Sequence, residues 1–274
     1  MAEEAPLNPE AGEHIAKVMA RAGLCSRRDA ERWIAAGRVA VDGTVLTSPA
    51  TLVTAASRIL VDGKPLLPPE PARLWRYHKP AGLVTTHRDE KGRATVFDKL
   101  PPGLPRVITV GRLDLNSEGL LLLTNDGALA RRLELPATGW LRRYKVRIHG
   151  FVEEQRLQRL AGGITVDGID YGPISARLER QQGSNAWIEM GLREGRNREI
   201  RRVLEHLGYP VTRLIRLSYG PFQLGNLERG AVEEIKGKVL AEQLGGSASK
   251  DLRAARRGAR ADGDRRPFHA HHRR

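Results

Sequence analysis

The sequence predicts an α+β protein made of a small N-terminal unit and a larger domain. Residues 72–244 alternate strand-like runs with helical stretches, a pattern typical of an α+β domain of ordinary size. Residues 13–67 hold two short helical patterns followed by strand and turn signals, which predict a compact unit of their own. Pro68, Pro69 and Pro71 mark residues 68–71 as a linker between the two.

The small unit is predicted to contain two helices and two hairpins. Ile15, Val18 and Met19 follow helical spacing, and Gly23 is a good helix stop. Ser26 and Asp29 resemble a capping box that starts a second helix. The runs RVAVDG and SRILVDG each alternate like a strand and end in Asp-Gly, a turn signal. Four arginines of this unit are predicted to point outward, namely Arg27, Arg28, Arg32 and Arg38.

Residues 107–133, VITVGRLDLNSEGLLLLTNDGALARRL, place one carboxylate between two buried strands. The pattern predicts strands over Val107–Val110 and Leu120–Leu123, and a helix over Ala128–Leu135. Asp114 stands in the loop between the strands, where rigid elements hold it beside an open cleft. That position suits chemistry, although an ordinary loop aspartate is the alternative.

The charge of the chain indicates a polyanionic partner. The 274 residues include 46 Lys and Arg against 32 Asp and Glu, a formal net charge of +14, and each basic contact to a phosphate releases condensed counterions. Residues 1–12 are acidic with two prolines and are expected to be a flexible leader. Residues 245–274 have no aliphatic cluster and are expected to be a disordered basic tail.

A reducing, cytoplasmic environment is expected for this protein. Cys25 is the only cysteine in the sequence, so it allows neither an internal disulfide nor a cysteine metal cage. The start of the chain has no basic residues followed by an apolar run and does not resemble a signal peptide. No stretch approaches the roughly 20 apolar residues that cross a bilayer, so we expect no membrane partner.

Several stretches carry a family resemblance. The run GLCSRRDAERWIAAGRVAVDGTVL resembles the αL RNA-binding module of the ribosomal-protein-S-four type, a helix–turn–helix with a hairpin. The run GRLDLNSEGLLLLTNDG resembles the catalytic motif of the RsuA and RluB-like pseudouridine synthases, which act on ribosomal RNA. Three further segments agree in order with that family: HKPAGLVTTHRDEKGRATVFDKLP, RRYKVRIHG and residues 194–230.

The resemblance implies roles for individual residues. Asp114 matches the essential aspartate of the family, which acts as a nucleophile or as a base. Arg201 matches the cation that keeps this aspartate ionised. Tyr144 matches the residue that stacks on the extruded base, and Ile200 the aliphatic residue beneath it. Without the resemblance, Tyr144 and Ile200 would be ordinary packing residues and Arg201 a surface charge.

The resemblance also implies a path for RNA. The arginines of the small unit become phosphate contacts rather than base readers. Arg112 lies two residues before Asp114, so both share a face of an extended chain. We expect Arg112 to help base flipping or to bind the RNA backbone, with an ion pair at the cleft rim as the alternative. Other basic residues are expected along this path, namely Lys79, Arg193, Arg196, Arg198, Arg202, Arg213 and Arg216.

The predicted function is a pseudouridine synthase that isomerises one uridine of ribosomal RNA. Asn116 and Leu135-Pro136 favour large-subunit RNA, with small-subunit RNA as the other option. Free ribosomal RNA and a subunit assembly intermediate are both possible partners. The isomerisation imports no group and changes no redox state, so we expect no cofactor and no metal. The family implies a mixed, mainly antiparallel sheet with flanking helices, and we expect a monomer.

Two alternatives are left open by the sequence. One is a non-catalytic RNA-binding factor for ribosome assembly on the same fold, and the joint presence of Asp114, Tyr144 and Arg201 argues against it. The other is a different enzyme such as a glycosidase, which usually needs two acidic groups flanking the scissile bond. Only Glu118 lies near Asp114 in the sequence, and a strongly basic surface is not expected of a sugar hydrolase.

Overall fold

The computed structural model describes residues 12–244, which form two compact units. The first unit comprises residues 12–72 and Pro105–Val107, and the second comprises Arg73–Leu104 and residues 108–244. The chain first changes unit between Ala72 and Arg73, next to the predicted linker. Nearly all of the predicted leader and the whole predicted basic tail lie outside the described residues.

The first unit joins two short helices to a small antiparallel sheet around one apolar core. Its helices are α1 (Ile15–Arg21) and α2 (Arg27–Ala35). Its strands are β1 (Glu13–His14), β2 (Val39–Val41), β3 (Thr44–Val45), β4 (Leu52–Val53), β5 (Ile59–Val61) and β6 (Lys64–Pro65). The four-stranded sheet has the order β3-β2-β5-β6, and β1 pairs with β4.

The local signals predicted for this unit are confirmed. Ser26 Oγ accepts a hydrogen bond from Asp29 N at 3.0 Å, and Ser26 N donates to Asp29 Oδ2 at 3.3 Å. This is a complete capping box at the start of α2. Both residues of the Asp42-Gly43 turn and of the Asp62-Gly63 turn have positive φ. Positive φ at both residues is the conformation of the type I′ turn, which matches the twist of the two strands it joins.

The second unit is built on a nine-stranded mixed sheet with flanking helices. Its strands are β7 (Leu74–Lys79), β8 (Ile108–Val110), β9 (Ser117–Thr124), β10 (Arg142–His149), β11 (Ile164–Val166), β12 (Ile169–Tyr171), β13 (Ile174–Gln182), β14 (Asn185–Leu192), β15 (Val211–Tyr219), β16 (Phe222–Gln223) and β17 (Val232–Glu234). Its helices are α3 (Gly127–Glu134), α4 (Glu154–Arg159), α5 (Glu199–His206) and α6 (Gly237–Leu244), with short 3-10 turns at Phe97–Lys99, Pro136–Thr138 and Leu160–Gly162.

The strand order confirms the predicted sheet. Seven strands follow one another as β13-β14-β10-β15-β9-β7-β17, β16 pairs with β15, and β8 pairs with β9. β9 and β15 run parallel, whereas the other strand pairs described in this sheet are antiparallel. β11 and β12 form a separate antiparallel pair. The α+β class with a mixed, mainly antiparallel sheet is therefore confirmed.

Strand β9 is buried along its whole length and is longer than predicted. The predicted strand covers only Leu120–Leu123, which leaves the polar residues Ser117 and Glu118 in the preceding loop. Arg213 binds the Glu118 carboxylate at 2.8 and 3.0 Å, and Arg229 binds it at 2.8 Å. The hydrogen bonds from Arg213 hold the pKa of Glu118 below its usual range. These partners stabilise a charged residue inside the sheet and so extend the strand.

Gly119 allows the parallel strands β9 and β15 to come together. Its φ is +100°, and a Cβ at this position would lie 2.3 Å from the carbonyl oxygen of Arg216. Only glycine tolerates both the backbone conformation and the close approach. Arg216 is the residue paired with Gly119, so the contact fixes the backbone of Arg216 against the centre of the sheet.

Candidate active site

Asp114 lies in the loop of residues 111–116 between β8 and β9. The loop begins at Gly111, which has a φ of +65° and donates its N–H to Glu134 Oε1 at 2.6 Å. Thr85 Oγ1 donates to the carbonyl oxygen of Leu113 at 2.8 Å. The Asp114 side chain is 29% exposed. Its carboxylate is therefore accessible although the backbone around it is held by hydrogen bonds.

Lys79 anchors the same loop, and the expectation that it lines an RNA path is wrong. The residue is fully buried at the end of β7. Its Nζ donates at 2.9–3.3 Å to the backbone oxygens of Pro80, Asp114, Leu115 and Ser117. Burial lowers the pKa of Lys79 to about 8, although the negative charges of Asp114 and Glu118 act to raise it. Because its ammonium group donates its hydrogen bonds to backbone carbonyls, Lys79 holds the loop instead of contacting RNA.

The Asp114 carboxylate opens into a cleft of about 270 Å³. Its walls come from the loop before β9, from β10 and β15, and from the start of α5. The cleft brings together eight of the predicted site residues, namely Arg112, Asp114, Tyr144, Arg196, Arg198, Ile200, Arg201 and Arg216. Tyr144 and Ile200 are buried, whereas Arg112, Arg196 and Arg198 are exposed. The cleft therefore combines aromatic and aliphatic packing with exposed basic side chains.

Two guanidinium groups face the Asp114 carboxylate. Arg198 Nη1 lies 3.8 Å and Arg201 Nε 4.0 Å from Asp114 Oδ2. These distances allow charge attraction but are longer than hydrogen bonds. Arg201 Nη2 donates to the carbonyl oxygen of Asn116 at 2.9 Å, whereas its buried Nε has no hydrogen-bond partner within the described residues. Burial lowers the pKa of Arg201, and the like charge of Arg198 acts in the same direction.

Both arginines lie at the start of α5, Arg198 as its N-cap and Arg201 in its first turn. α5 spans Glu199–His206. Arg198 is its N-cap and has a left-handed backbone, with a φ of +52° that is uncommon for a residue other than glycine. Such conformations occur where the surrounding structure enforces them, often at functional sites.

The cleft residues that sequence reasoning missed include Arg142, Glu199 and Tyr219. Arg142 Nη2 donates to the Tyr219 hydroxyl at 3.1 Å, and that hydroxyl donates to the carbonyl oxygen of Leu133 at 2.9 Å. Burial raises the pKa of Glu199 to about 7, and the charge of Glu194 acts in the same direction. Their only signal in the sequence was their position inside or next to the segments that resemble the family.

The four predicted phosphate contacts of the first unit are all exposed: Arg27, Arg28, Arg32 and Arg38. Arg27 and Arg28 make no ion pair with another described residue. Arg32 pairs with Asp29, and Arg38 makes two hydrogen bonds to Asp62 at 2.8 and 2.5 Å. Within residues 12–244, no carboxylate therefore occupies the guanidinium groups of Arg27 and Arg28.

No group of three or more His, Cys, Asp or Glu side chains in residues 12–244 is arranged to hold a metal ion. None of the helices described there has the length and apolar character to cross a membrane.

Comparison with known proteins assigns both units. Residues 73–206 match the family of RNA pseudouridylate synthases, and residues 15–59 match the S4 domain. An uncharacterized RNA pseudouridine synthase of Rickettsia prowazekii is 49% identical over 230 residues, which cover 84% of this chain and 97% of that protein. Ribosomal large subunit pseudouridine synthase B of Haemophilus influenzae is 42% identical over 231 residues, which cover 82% of this chain and 65% of that protein.

A solved structure agrees with these relatives. The crystal structure of a pseudouridylate synthase superposes with a TM-score of 0.59 and 26% identity, covering 84% of this chain and 99% of that chain. The match to the Rickettsia relative extends over almost its whole length. The chain therefore belongs to the RNA pseudouridylate synthase family of isomerases and carries an S4 domain near its N-terminus.

Proposed function

We propose that this chain converts one uridine of large-subunit ribosomal RNA to pseudouridine and that Asp114 is its essential carboxylate. The observation that carries the proposal is the setting of Asp114. A partly exposed carboxylate, held by an anchored loop, faces two guanidinium groups in a cleft that Tyr144 also lines. Chemistry at the sugar–base linkage requires the nucleotide to leave its base stack, and an extruded nucleotide needs such a cleft.

The cleft residues divide the work of holding the base and the carboxylate. The Tyr144 ring stacks on the extruded uracil and replaces part of the stacking lost on extrusion, while Ile200 packs beneath it. Arg201 orients the Asp114 carboxylate, which lies 4.0 Å from its Nε. In the net reaction the N1–C1′ bond breaks, a C5–C1′ bond forms, C5 loses a proton and N1 gains one. The reaction is redox-neutral and consumes no second substrate.

RNA binding is assigned to the S4-type unit and to the basic side chains of the cleft. Arg27, Arg28, Arg32 and Arg38 contact phosphates, since the planar guanidinium fork matches a phosphate with two hydrogen bonds. Arg112, Arg196 and Arg198 hold the strand around the target nucleotide, and Arg112 assists its extrusion. The net charge of +14 supports an affinity that depends on phosphate contacts.

The proposed substrate rests on the curated relatives. Those from Haemophilus influenzae and Pseudomonas aeruginosa are named ribosomal large subunit pseudouridine synthase B and are 42% and 41% identical to this chain. We assign residues 13–67 to RNA binding, 68–71 to a linker and 72–244 to catalysis. We further propose a monomer that acts in the cytoplasm, which the single buried thiol of Cys25 supports.

The experiment that tests the proposal is a site-resolved map of pseudouridine in ribosomal RNA from cells with and without this protein. We expect one site in large-subunit RNA to lose its pseudouridine and to regain it when the wild-type gene is returned. An unchanged map combined with altered subunit profiles would instead identify a non-catalytic assembly factor. Loss of a small-subunit site would keep the activity and overturn the assigned subunit.

A further inference from the structure

Arg216 is a buried cation with unused hydrogen-bonding capacity. It lies on β15, is 3% exposed and lines the cleft. Its Nε donates to the carbonyl oxygen of Leu120 at 2.7 Å, but its buried Nη2 has no hydrogen-bond partner within residues 12–244. No carboxylate of that part of the chain lies within 4.0 Å of the guanidinium. A buried charge without a partner is unfavourable, so an acceptor supplied by a ligand would stabilise it.

Arg142 shows how the same cleft holds a structural arginine. Its terminal nitrogens donate to the carbonyl oxygens of Trp140 and Arg193 at 3.3 and 2.6 Å and to the Tyr219 hydroxyl at 3.1 Å. Both arginines lie over the Tyr219 ring, Arg142 at 4.7 Å and Arg216 at 5.2 Å. Within residues 12–244, both terminal nitrogens of Arg142 have acceptors, whereas Nη2 of Arg216 has none.

The sheet places Arg216 beside the ring that we assign to the base. In the register between β10 and β15, Arg216 is the partner of Tyr144, next to a β-bulge. Partners on neighbouring strands project to the same face, and both residues line the cleft. Gly119 fixes the Arg216 backbone from the other side. A base stacked on Tyr144 would therefore lie within reach of a guanidinium held by rigid strands.

We infer that the Arg216 guanidinium donates a hydrogen bond to a carbonyl oxygen, O2 or O4, of the extruded uracil. This inference rests on the proposed function. When the N1–C1′ bond breaks, its electron pair stays with the uracil and negative charge spreads onto O2 and O4. The charge is consumed when C5 bonds to C1′. A cation at one of these oxygens stabilises bond breakage more than it stabilises the bound substrate, so Arg216 acts on turnover more than on RNA affinity.

The test combines a change in the protein with a change in the base. Single-turnover rates are measured for the wild type and Arg216→Met, using RNA fragments that carry uridine, 2-thiouridine or 4-thiouridine at the target. Arg177→Met is the matched control, because Arg177 is an exposed arginine on β13 of the same sheet. Sulfur accepts hydrogen bonds more weakly than oxygen does. The thio position whose effect depends on Arg216 identifies the oxygen that the guanidinium contacts.

We expect Arg216→Met to lower the single-turnover rate on uridine RNA by about 10- to 100-fold, the size of one charged hydrogen bond. RNA affinity should be nearly unchanged, and Arg177→Met should behave like the wild type. One thio substitution should slow the wild type but have little further effect on Arg216→Met, because both changes remove the same contact. Arg216→Lys keeps the charge and should recover part of the rate, which provides a second variant if Arg216→Met does not fold.

Equal thio effects in the wild type and in folded Arg216 variants would overturn the contact while leaving the proposed function intact. A wild type whose rate is insensitive to both thio substitutions would overturn it without any variant. If the wild type forms no pseudouridine in any of the RNAs, the proposed function fails and the contact falls with it.

Discussion

Replacing Lys79 with methionine should release the loop that carries Asp114. The change keeps an apolar side chain of similar length in a fully buried position but removes the ammonium group. Three of the four backbone oxygens bound by Nζ belong to residues 114–117. Lys79→Met therefore leaves these carbonyl groups without their donor, while it also removes a buried charge.

The two effects oppose each other and can be compared. A buried carbonyl that loses its donor destabilises the protein by about 1–3 kcal/mol, and an ammonium group satisfies about three acceptors at a time. The pKa of Lys79, lowered from 10.5 to about 8, means that burial of its charge opposes folding by about 3 kcal/mol at neutral pH. The lost hydrogen bonds outweigh the relief of that charge, and we expect Lys79→Met to lower the free energy of unfolding by about 3 kcal/mol.

Urea unfolding and single-turnover pseudouridine formation measure the two consequences. A carboxylate misplaced by about 1 Å slows an enzyme by about 100-fold, so folded Lys79→Met should lose activity to that extent. Lys145→Met is the control, because Lys145 pairs with Glu179 near the surface at 2.7 Å. It should change stability by less than about 1 kcal/mol. Wild-type stability and turnover in Lys79→Met would refute the anchoring role.

Three further predictions concern the sheet, the cleft and the RNA-binding unit. Gly119→Ala should lower the free energy of unfolding by about 2–3 kcal/mol, because its Cβ would stand 2.3 Å from the Arg216 carbonyl oxygen. The control is Gly127→Ala, whose Cβ would have no neighbour closer than 3.9 Å. Equal urea midpoints for the two variants would contradict the close packing at Gly119. The pKa of Glu199 is raised from 4.5 to about 7, so its contribution to stability is complete below about pH 4.5 and is lost as the pH rises through about 7. In urea unfolding, the free energy of unfolding of Glu199→Gln should therefore rise by about 3 kcal/mol relative to that of the wild type as the pH increases from about 5 to about 8. A difference between the two proteins that does not depend on pH would rule out the raised pKa of Glu199. Changing Arg27 and Arg28 together to Ala should reduce the slope of log affinity for RNA against log salt concentration by about 1–2 units. The control variant Arg177→Ala should keep the wild-type slope. A wild-type slope in the double variant would exclude the phosphate contacts.

The elements that the sequence predicted well depend on neighbouring residues. The capping box of α2 is made by Ser26 and Asp29, three positions apart, and it forms as expected. The Asp42-Gly43 and Asp62-Gly63 turns likewise carry their signal within two residues. Such features are visible in the sequence because the groups that stabilise them lie within one turn of chain.

Features that depend on distant partners could not be predicted. Lys79 resembles a surface cation in the sequence, and the backbone oxygens that accept hydrogen bonds from its ammonium group lie up to 38 residues further along the chain. Glu118 resembles a loop residue, and its partner Arg213 is 95 residues away. A single sequence does not show which carbonyl or guanidinium group will meet a buried charge, so both residues were assigned to the wrong environment.

The predicted site lies between these cases. The structure brings Asp114, Tyr144, Ile200 and Arg201 to one cleft. The family motifs implied that grouping, but no local pattern does, since β9, β10 and α5 meet only through the sheet topology. The roles of these residues stay predictions until they are measured.

Pseudouridine formation by purified Asp114→Asn tests the central claim most directly. The control is Asp167→Asn, a change in an exposed turn between β11 and β12 whose left-handed backbone asparagine tolerates. With the target RNA established by the site map, we expect Asp114→Asn to bind it with nearly wild-type affinity and to form no pseudouridine, while Asp167→Asn remains fully active. Measurable product from Asp114→Asn would contradict the assignment of this carboxylate to catalysis.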